Sequence, residues 1–520
     1  MNEVEKEILY NEHIIPSALE VAKNYDFTPQ FNKKMLKKID KWDDKISDEE
    51  RNRRVDLTNL MFITIDCEST MDFDDAIYVE KATHGIYNVY VSIADVAHFV
   101  QEGSLLDKDA LKRGNSLYLI DTVLPMLPRK LSNDLCSLNP QKERLAMTFE
   151  MQVNKNGTVV KSKIYESIIK SRTRTTYENI NAWLEGKTEL KVHESIDDNG
   201  ERWQIEQMLR DCVVLQKTLE KKRKKRGNLD FNFQEVYIDL DETHKPIGIK
   251  AREVGTANKI IEELMILTNE VVGEKFYSME IPYLYRIHEQ PNDEALEEVY
   301  NFIRNFDYEI PRTTSSKDIA KVLEQAKETP EEDVINLLLL RAMKKAVYSH
   351  EELGHFGLGC KYYSHTTSPI RRYSDLFTHR IIKDWLHGTL TSSKIKHYKE
   401  IAPMVGTICS RQERKALEAE QEYDEIKRIE MAYDNFIGDT FIGKVIGVKE
   451  GSLKIKLDNT ITGVISLKDE GLFEETLPHV EIEEVETGKK FRIGDHIKVR
   501  MVQVYLVERV VVFELVKEEE

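Results

Sequence analysis

Four aspartates within ten residues constrain this chain more than any other feature. In the stretch from Phe62 to Asp75 a β-branched apolar run, Ile63, Thr64 and Ile65, reads as a buried strand, and carboxylates follow at Asp66, Asp72, Asp74 and Asp75. Carboxylates this close repel, so part of the cluster stays protonated unless cations neutralise it, and an all-oxygen donor set selects hard ions such as Mg²⁺ or Mn²⁺. A merely solvated Asp-rich turn is the plain alternative. A calcium loop of the EF-hand type is excluded, because counting from Asp66 puts Met71 where Gly is required and Ile77 where Glu is required. If Asp72-Phe73-Asp74 is extended, both carboxylates point to one side and Phe73 to the other.

The 520 residues suit about three ordinary domains, or one large body with a small module. With 41% hydrophobic and 32% charged residues and no long apolar run, the chain is expected to be soluble, with no membrane partner. Its start, Met1 to Glu7, lacks the basic and apolar regions of a signal peptide, and its five cysteines never form a Cys-x-x-Cys pair. Both features predict a cytoplasmic protein without disulfides or zinc, and the spacings of His350, His355 and His365 match no zinc pattern either. The net charge of −17 argues against a phosphate-rich partner, but totals hide distribution. Basic residues bunch at Lys221 to Arg226 and at Arg371-Arg372.

Three regions follow from the pattern: a charged, partly helical segment over 1–58, a body over 59–436 and a β-rich module over 437–520. Hairpins are predicted around His84-Gly85 and around Asn154 to Gly157, and helices over 203–226, 256–276, 292–305, 316–327, 331–350, 374–386 and 393–435. The basic run before Gly227 suits the dipole at a helix C-terminus at least as well as it suits RNA. Asn258, Glu262, Met265 and Asn269 share one stripe of the 256–276 helix, where buried polar groups need partners. The Arg pair after Ser368-Pro369 stands just before a helix, where a planar bidentate donor could clamp phosphate. Five short alternating strands between Phe441 and Phe513 predict a small OB-type barrel.

Taken together, Thr64-Ile65-Asp66 with Asp72-Phe73-Asp74-Asp75-Ala76, Ile93-Ala94-Asp95-Val96, Pro125-Met126-Leu127-Pro128, Cys136-Ser137-Leu138-Asn139-Pro140, Ile261-Glu262-Glu263, Arg286-Ile287-His288-Glu289 and Thr367-Ser368-Pro369-Ile370-Arg371-Arg372-Tyr373 form ordered blocks. The chain thereby resembles the catalytic body of the ribonuclease II and ribonuclease R exoribonucleases, the RNB family. The resemblance implies a mixed α/β fold: a catalytic domain whose sheet is surrounded by helices about a central channel, then an OB-fold barrel that binds RNA. It implies that Asp66, Asp72, Asp74 and Asp75 hold Mg²⁺ or Mn²⁺, with Asp74 the most sensitive to substitution. Tyr118 falls where the family closes an aromatic on the RNA 3′ end, and Tyr237 near a second stacking position. Glu262 or Glu263 corresponds to a contact with the terminal ribose, Arg371 to one with the scissile phosphate, with Arg372 beside it on RNA, and Glu420 to one with the product nucleotide.

The expected activity is Mg²⁺-dependent 3′-to-5′ hydrolysis of single-stranded RNA to nucleoside 5′-monophosphates and a short limit oligonucleotide, by a monomer. A protein of this fold that binds RNA with little turnover is the alternative, and a metal-dependent phosphatase or deoxyribonuclease a third reading. The resemblance implies two cold-shock domains before the catalytic body, as members of the family usually carry. Their place is taken here by the short segment 1–58, which predicts weaker, salt-sensitive RNA binding or a protein partner in their stead. The barrel also offers Gly451-Ser452-Leu453-Lys454 where relatives have an aromatic pair, and ends on the acidic Lys517 to Glu520.

Overall fold

The computed structural model describes residues 15–196, 200–232, 235–252, 254–306, 308–310, 313–449, 451–468, 470–477 and 479–516. The start of the chain and the acidic end, Lys517 to Glu520, lie outside them. A seven-stranded sheet holds the site. Its strands are β1 (Val55–Asp56), β2 (Ile63–Asp66), β3 (Asp75–Lys81), β4 (Tyr87–Ala94), β7 (Glu143–Val153), β8 (Val159–Lys170) and β9 (Thr173–Thr176), in the order β1-β8-β7-β4-β3-β2-β9. The inner pairs are antiparallel, as the two hairpins require, while β1 joins β8 and β9 joins β2 in parallel. Two further strands, β5 (Leu117–Tyr118) and β6 (Val123–Leu124), form a separate hairpin.

Helices cover the sheet because its central strands bury both faces. In chain order they are α1 (Ala18–Asn24), α2 (Lys33–Ile39), α3 (Asp48–Arg53), α4 (Val96–Phe99), α5 (Leu105–Arg113), α6 (Tyr177–Leu184), α7 (Glu201–Arg226), α8 (Thr256–Ser278), α9 (Asp293–Ile303), α10 (Ser316–Ala326), α11 (Glu332–Ala342), α12 (Tyr373–Leu386) and α13 (Ser392–Asn435). Helix α7 packs on β3 and on α8, and Leu376, Phe377 and Ile381 of α12 enter the main core. A buried ion network ties α12 to the sheet: Asp95 accepts from Arg54 at 2.6 Å and Lys383 at 2.6 Å, and Glu166 meets Lys383 at 2.9 Å. Burial works against the Asp95 carboxylate, yet Lys383 and Arg54 hold it well below the usual range.

Two small sheets differ from the sequence reading. The helix expected over 331–350 ends at Ala342, and Val347–Ser349 is strand β13, paired with β12 (Tyr285–Ile287). The backbone N–H of Tyr348 donates to Ser410 Oγ at 2.8 Å, so a strand here gains a partner a helix would lack. Hairpin β10 (Val236–Leu240) with β11 (Pro246–Ala251) stands apart from the main sheet and lies on α13.

The tail forms the expected barrel from β14 (Thr440–Lys449), β15 (Ser452–Leu457), β16 (Thr462–Ser466), β20 (His496–Tyr505) and β21 (Val510–Leu515), closed in the order β14-β15-β16-β21-β20. Between β16 and β20 it inserts a three-stranded sheet of β17 (Phe473–Leu477), β18 (Glu481–Glu484) and β19 (Lys490–Arg492). Ion pairs seat the barrel: Lys444 and Lys456 meet Asp333 of α11 at 2.9 and 3.2 Å, and Arg509 meets Glu422 of α13 at 2.6 Å. Glu422 also accepts from Tyr25, just after α1, at 2.7 Å, while Ala18, Val21 and Ala22 pack with Leu117 and Leu119.

Candidate active site

Asp66 closes β2, and the chain then turns out and back to start β3 at Asp75. Hydrogen bonds fix the returning segment rather than strand pairing: Phe73 N–H donates to Ser137 Oγ at 3.0 Å, Leu138 N–H to the Phe73 carbonyl at 3.0 Å, and Ala94 N–H to the Asp74 carbonyl at 2.8 Å. Phe73 is buried beneath the Arg174 guanidinium, 5.1 Å away. The Asp74 carboxylate is divided in its use. Its Oδ1 accepts from the Ile370 N–H at 2.7 Å, whereas Oδ2 is buried without a hydrogen bond, 3.8 Å from Arg371 Nε.

Burial is the main cause pushing all four acids up. Asp66 and Asp74 rise well above the usual carboxylate range, Asp66 also because Asp75 and Asp72 face it, and Asp74 in spite of Arg371. Asp75 is pushed up to about 6, and Asp72 is raised although the Tyr118 hydroxyl donates to it at 2.7 Å. Among the described residues no three ligating side chains converge to coordinating distance. An unpartnered buried oxygen on Asp74 within an all-carboxylate set is nonetheless the donor chemistry a hard divalent cation takes.

The structure brings other residues named from sequence to this cleft. Arg371 presents a side chain that is 45% exposed and donates to Ser368 Oγ at 3.0 Å. Tyr118 reaches Asp72 as above. Tyr237 lies under Arg252, 5.2 Å from its guanidinium, and Arg252 reaches the Cys67 thiol at 3.7 Å, beside Asp66. Burial, with Asp424 and Glu235 near it, raises the Glu420 carboxyl, and Arg252 opposes that shift. Glu420 therefore adjoins the Tyr237 hairpin.

Arg372 requires a correction. Expected on RNA beside Arg371, it turns inward and grips the fully buried Asp375 through Nε at 2.9 Å and Nη2 at 2.7 Å. An uncompensated Asp375 would cost several kcal/mol of order, so its partner is not free to leave. Asp375 also accepts from the Ser368 N–H at 2.8 Å, which shapes the turn that delivers Ile370 and Arg371. Glu262 and Glu263 share Arg223 at 3.0 and 2.9 Å on the seam between α7 and α8. Glu263 is buried there and pushed up to about 7 by that burial, while Glu262 keeps an exposed carboxylate. The basic run at the end of α7 is structural in part: Arg223 takes these glutamates, Arg226 takes Glu270, and Lys222 donates to the Gly157 carbonyl at 2.9 Å.

Tyr177 and Arg174 escaped the sequence reading. The parallel pairing of β2 with β9 sets Asp66 opposite Thr176, so Tyr177 starts α6 beside the aspartates. Burial, then Asp75 and Asp66, raise its phenol. Arg174 donates to the Cys67 carbonyl at 3.1 Å, closing the aspartate turn. No local signal announces a parallel pairing across this distance.

The RNB domain model matches residues 54–388. Ribonuclease R of Thermotoga maritima is 38% identical over 480 residues, which cover 90% of this chain and 65% of that protein. Ribonuclease R of Aquifex aeolicus is 37% identical over 507 residues, 96% of this chain and 70% of that protein. The chain thus spans about two thirds of these relatives' lengths. Among solved structures, the apo form of Mycoplasma genitalium RNase R matches with a TM-score of 0.88 at 29% identity, covering 97% of this chain and 78% of that one.

Proposed function

The chain belongs to the RNB domain family, and from that we propose that it is a hydrolytic 3′-to-5′ exoribonuclease that shortens single-stranded RNA to nucleoside 5′-monophosphates and a limit oligonucleotide. The observation carrying this reading is the junction at Asp74, where one carboxylate oxygen is held by the Ile370 N–H and the other is left unpartnered facing Arg371. The Mycoplasma genitalium RNase R that this chain resembles was solved with ribose-methylated single-stranded RNA, at a TM-score of 0.87, and with double-stranded RNA, at 0.84.

In this reading Asp66, Asp72, Asp74 and Asp75 hold Mg²⁺, or Mn²⁺ in its place. A divalent ion held there would supply an activated water as nucleophile near neutral pH and positive charge toward the phosphoryl oxygens. The protein's own residues do the rest. Arg371, half-exposed and steadied by Ser368, contacts the scissile phosphate and stabilises the charge that grows on it. Tyr118 offers a ring to a base while its hydroxyl keeps Asp72 in place. Tyr237 stacks farther along the strand, Glu262 reaches the terminal ribose, and Glu420 meets the released nucleotide. Stacking tolerates any base, so the enzyme reads no sequence.

The test is a time course of 5′-labelled single-stranded RNA with Mg²⁺, with EDTA, and with Asp74→Asn. Collapse to one short product, lost in both controls, is expected. Intact RNA with retained binding would assign the chain to RNA-binding proteins of this fold that turn over little.

A further inference from the structure

The two aromatics assigned to RNA stand on hairpins outside the main sheet, Tyr118 on β5–β6 and Tyr237 on β10–β11. A two-stranded hairpin alone is marginal in water, so each needs outside support. The near ends have it at the aspartate turn: Tyr118 donates to Asp72, Ser116 N–H donates to the Arg371 carbonyl at 2.9 Å, and Arg252 spans from Tyr237 to Cys67. The far ends meet each other. His244, at the tip of β10–β11 with φ +64°, places Nδ1 2.9 Å from Oδ2 of Asp121, at the tip of β5–β6.

That meeting point is built rather than incidental. The same Asp121 oxygen accepts from Tyr423 of α13 at 3.0 Å, and Lys427, one turn on, donates to the His244 carbonyl at 2.7 Å. Lys427 is itself held by Glu430 at 2.9 Å, and the turn that presents His244 is shaped by Asp241, which accepts from the N–H groups of Thr243 and Lys245. Asp121 is nearly buried and its Oδ1 accepts no hydrogen bond among the described residues, so the carboxylate depends on the partners at Oδ2. The contacts close a circuit: aspartate turn, Tyr118 hairpin, Asp121 with His244, Tyr237 hairpin, Arg252, and Cys67 back to the aspartate turn.

We propose that His244 and Asp121 are positioning residues, a tip-to-tip latch that sets the spacing of Tyr118 and Tyr237 and thereby the grip on the RNA strand. The role in RNA binding rests on the exoribonuclease reading; the latch itself does not.

Two measurements on the full chain separate these claims. In hydrogen exchange on the RNA-free protein, His244→Ala and Asp121→Ala should each speed exchange in both hairpins, 117–124 and 236–251, with the double variant no faster than the faster single one. Tyr423→Phe, which leaves His244 on Asp121, should not open the 236–251 hairpin. Exchange confined to the mutated hairpin, or additive in the double variant, overturns the latch whether or not the protein cleaves RNA. In the second arm, steady-state cleavage of a single-stranded RNA should show KM raised about threefold to tenfold in His244→Ala, with kcat within about twofold, since part of a stacking contact is lost and no reacting group is touched. Coupled exchange with an unchanged KM would keep the latch and remove its role in RNA binding. Coupled exchange in a protein that neither binds nor cleaves RNA would overturn the exoribonuclease reading alone.

Discussion

Asp74 is satisfied on one oxygen and without a hydrogen bond on the other, which faces Arg371, and that asymmetry makes opposite demands on stability and activity. Burial raises its folded pKa and so makes it a weaker acid, and the stability it contributes is present below the ordinary carboxylate range and lost as pH rises through the raised value. Asp74→Asn removes that loss. The metal-free variant should therefore melt above the metal-free wild type at pH 8 and match it more closely at pH 4, in scanning calorimetry. Activity should fall by at least about 100-fold to 1000-fold, on the scale of losing a group that stabilises transition-state charge. Tyr118→Ala should weaken RNA binding by about fivefold to 150-fold, the range of one lost stacking contact, in a fluorescence titration; Tyr118→Phe should keep most affinity and lose turnover through Asp72. The aspartates were legible because like charges at short spacing have few explanations. Arg372 was misread although Asp375 stands three residues on, a spacing at which a helix start pairs side chains. Tyr177 was invisible because only the pairing of β2 with β9 brings it to Asp66.

At the scale of elements, periodicity separated what could be read from what could not. The five barrel strands alternate apolar and polar residues, and all five form. Strands β17 and β18 escaped because glutamates crowd them, as in Phe473-Glu474-Glu475 and Glu481-Ile482-Glu483-Glu484, which leaves little alternation to see. Strand β13 was hidden behind the helical pattern of α11, which ran on past its true end at Ala342. Within the barrel, Gly463 of β16 sits so close to β21 that a Cβ would lie 2.5 Å from both the Phe513 ring and the Val511 carbonyl. Gly463→Ala should cost about 1–3 kcal/mol by overpacking and speed hydrogen exchange in β16 and β21, leaving β3 and β4 of the main sheet unchanged.

For the whole molecule, the net charge of −17 is the sum of unlike parts. Four of the acids are gathered at the cleft and raised by burial, so a divalent cation should stabilise the fold most where they would otherwise be ionised. For Asp75, stability is lost between the ordinary carboxylate value and about 6. Mg²⁺ should therefore raise the melting temperature more at pH 8 than at pH 4, and a profile independent of pH would remove the aspartates as its site. The arrangement of the site along the chain carries a last consequence. The N–H that steadies Asp74 belongs to Ile370, 296 residues later, and Arg371 follows it. A ribosome making this protein adds those 296 residues after Asp74 before both halves of the cleft exist together. On the proposed function, a nascent chain emerging beside RNA carries aspartates without their arginine, and cannot cut RNA until that later segment has been made.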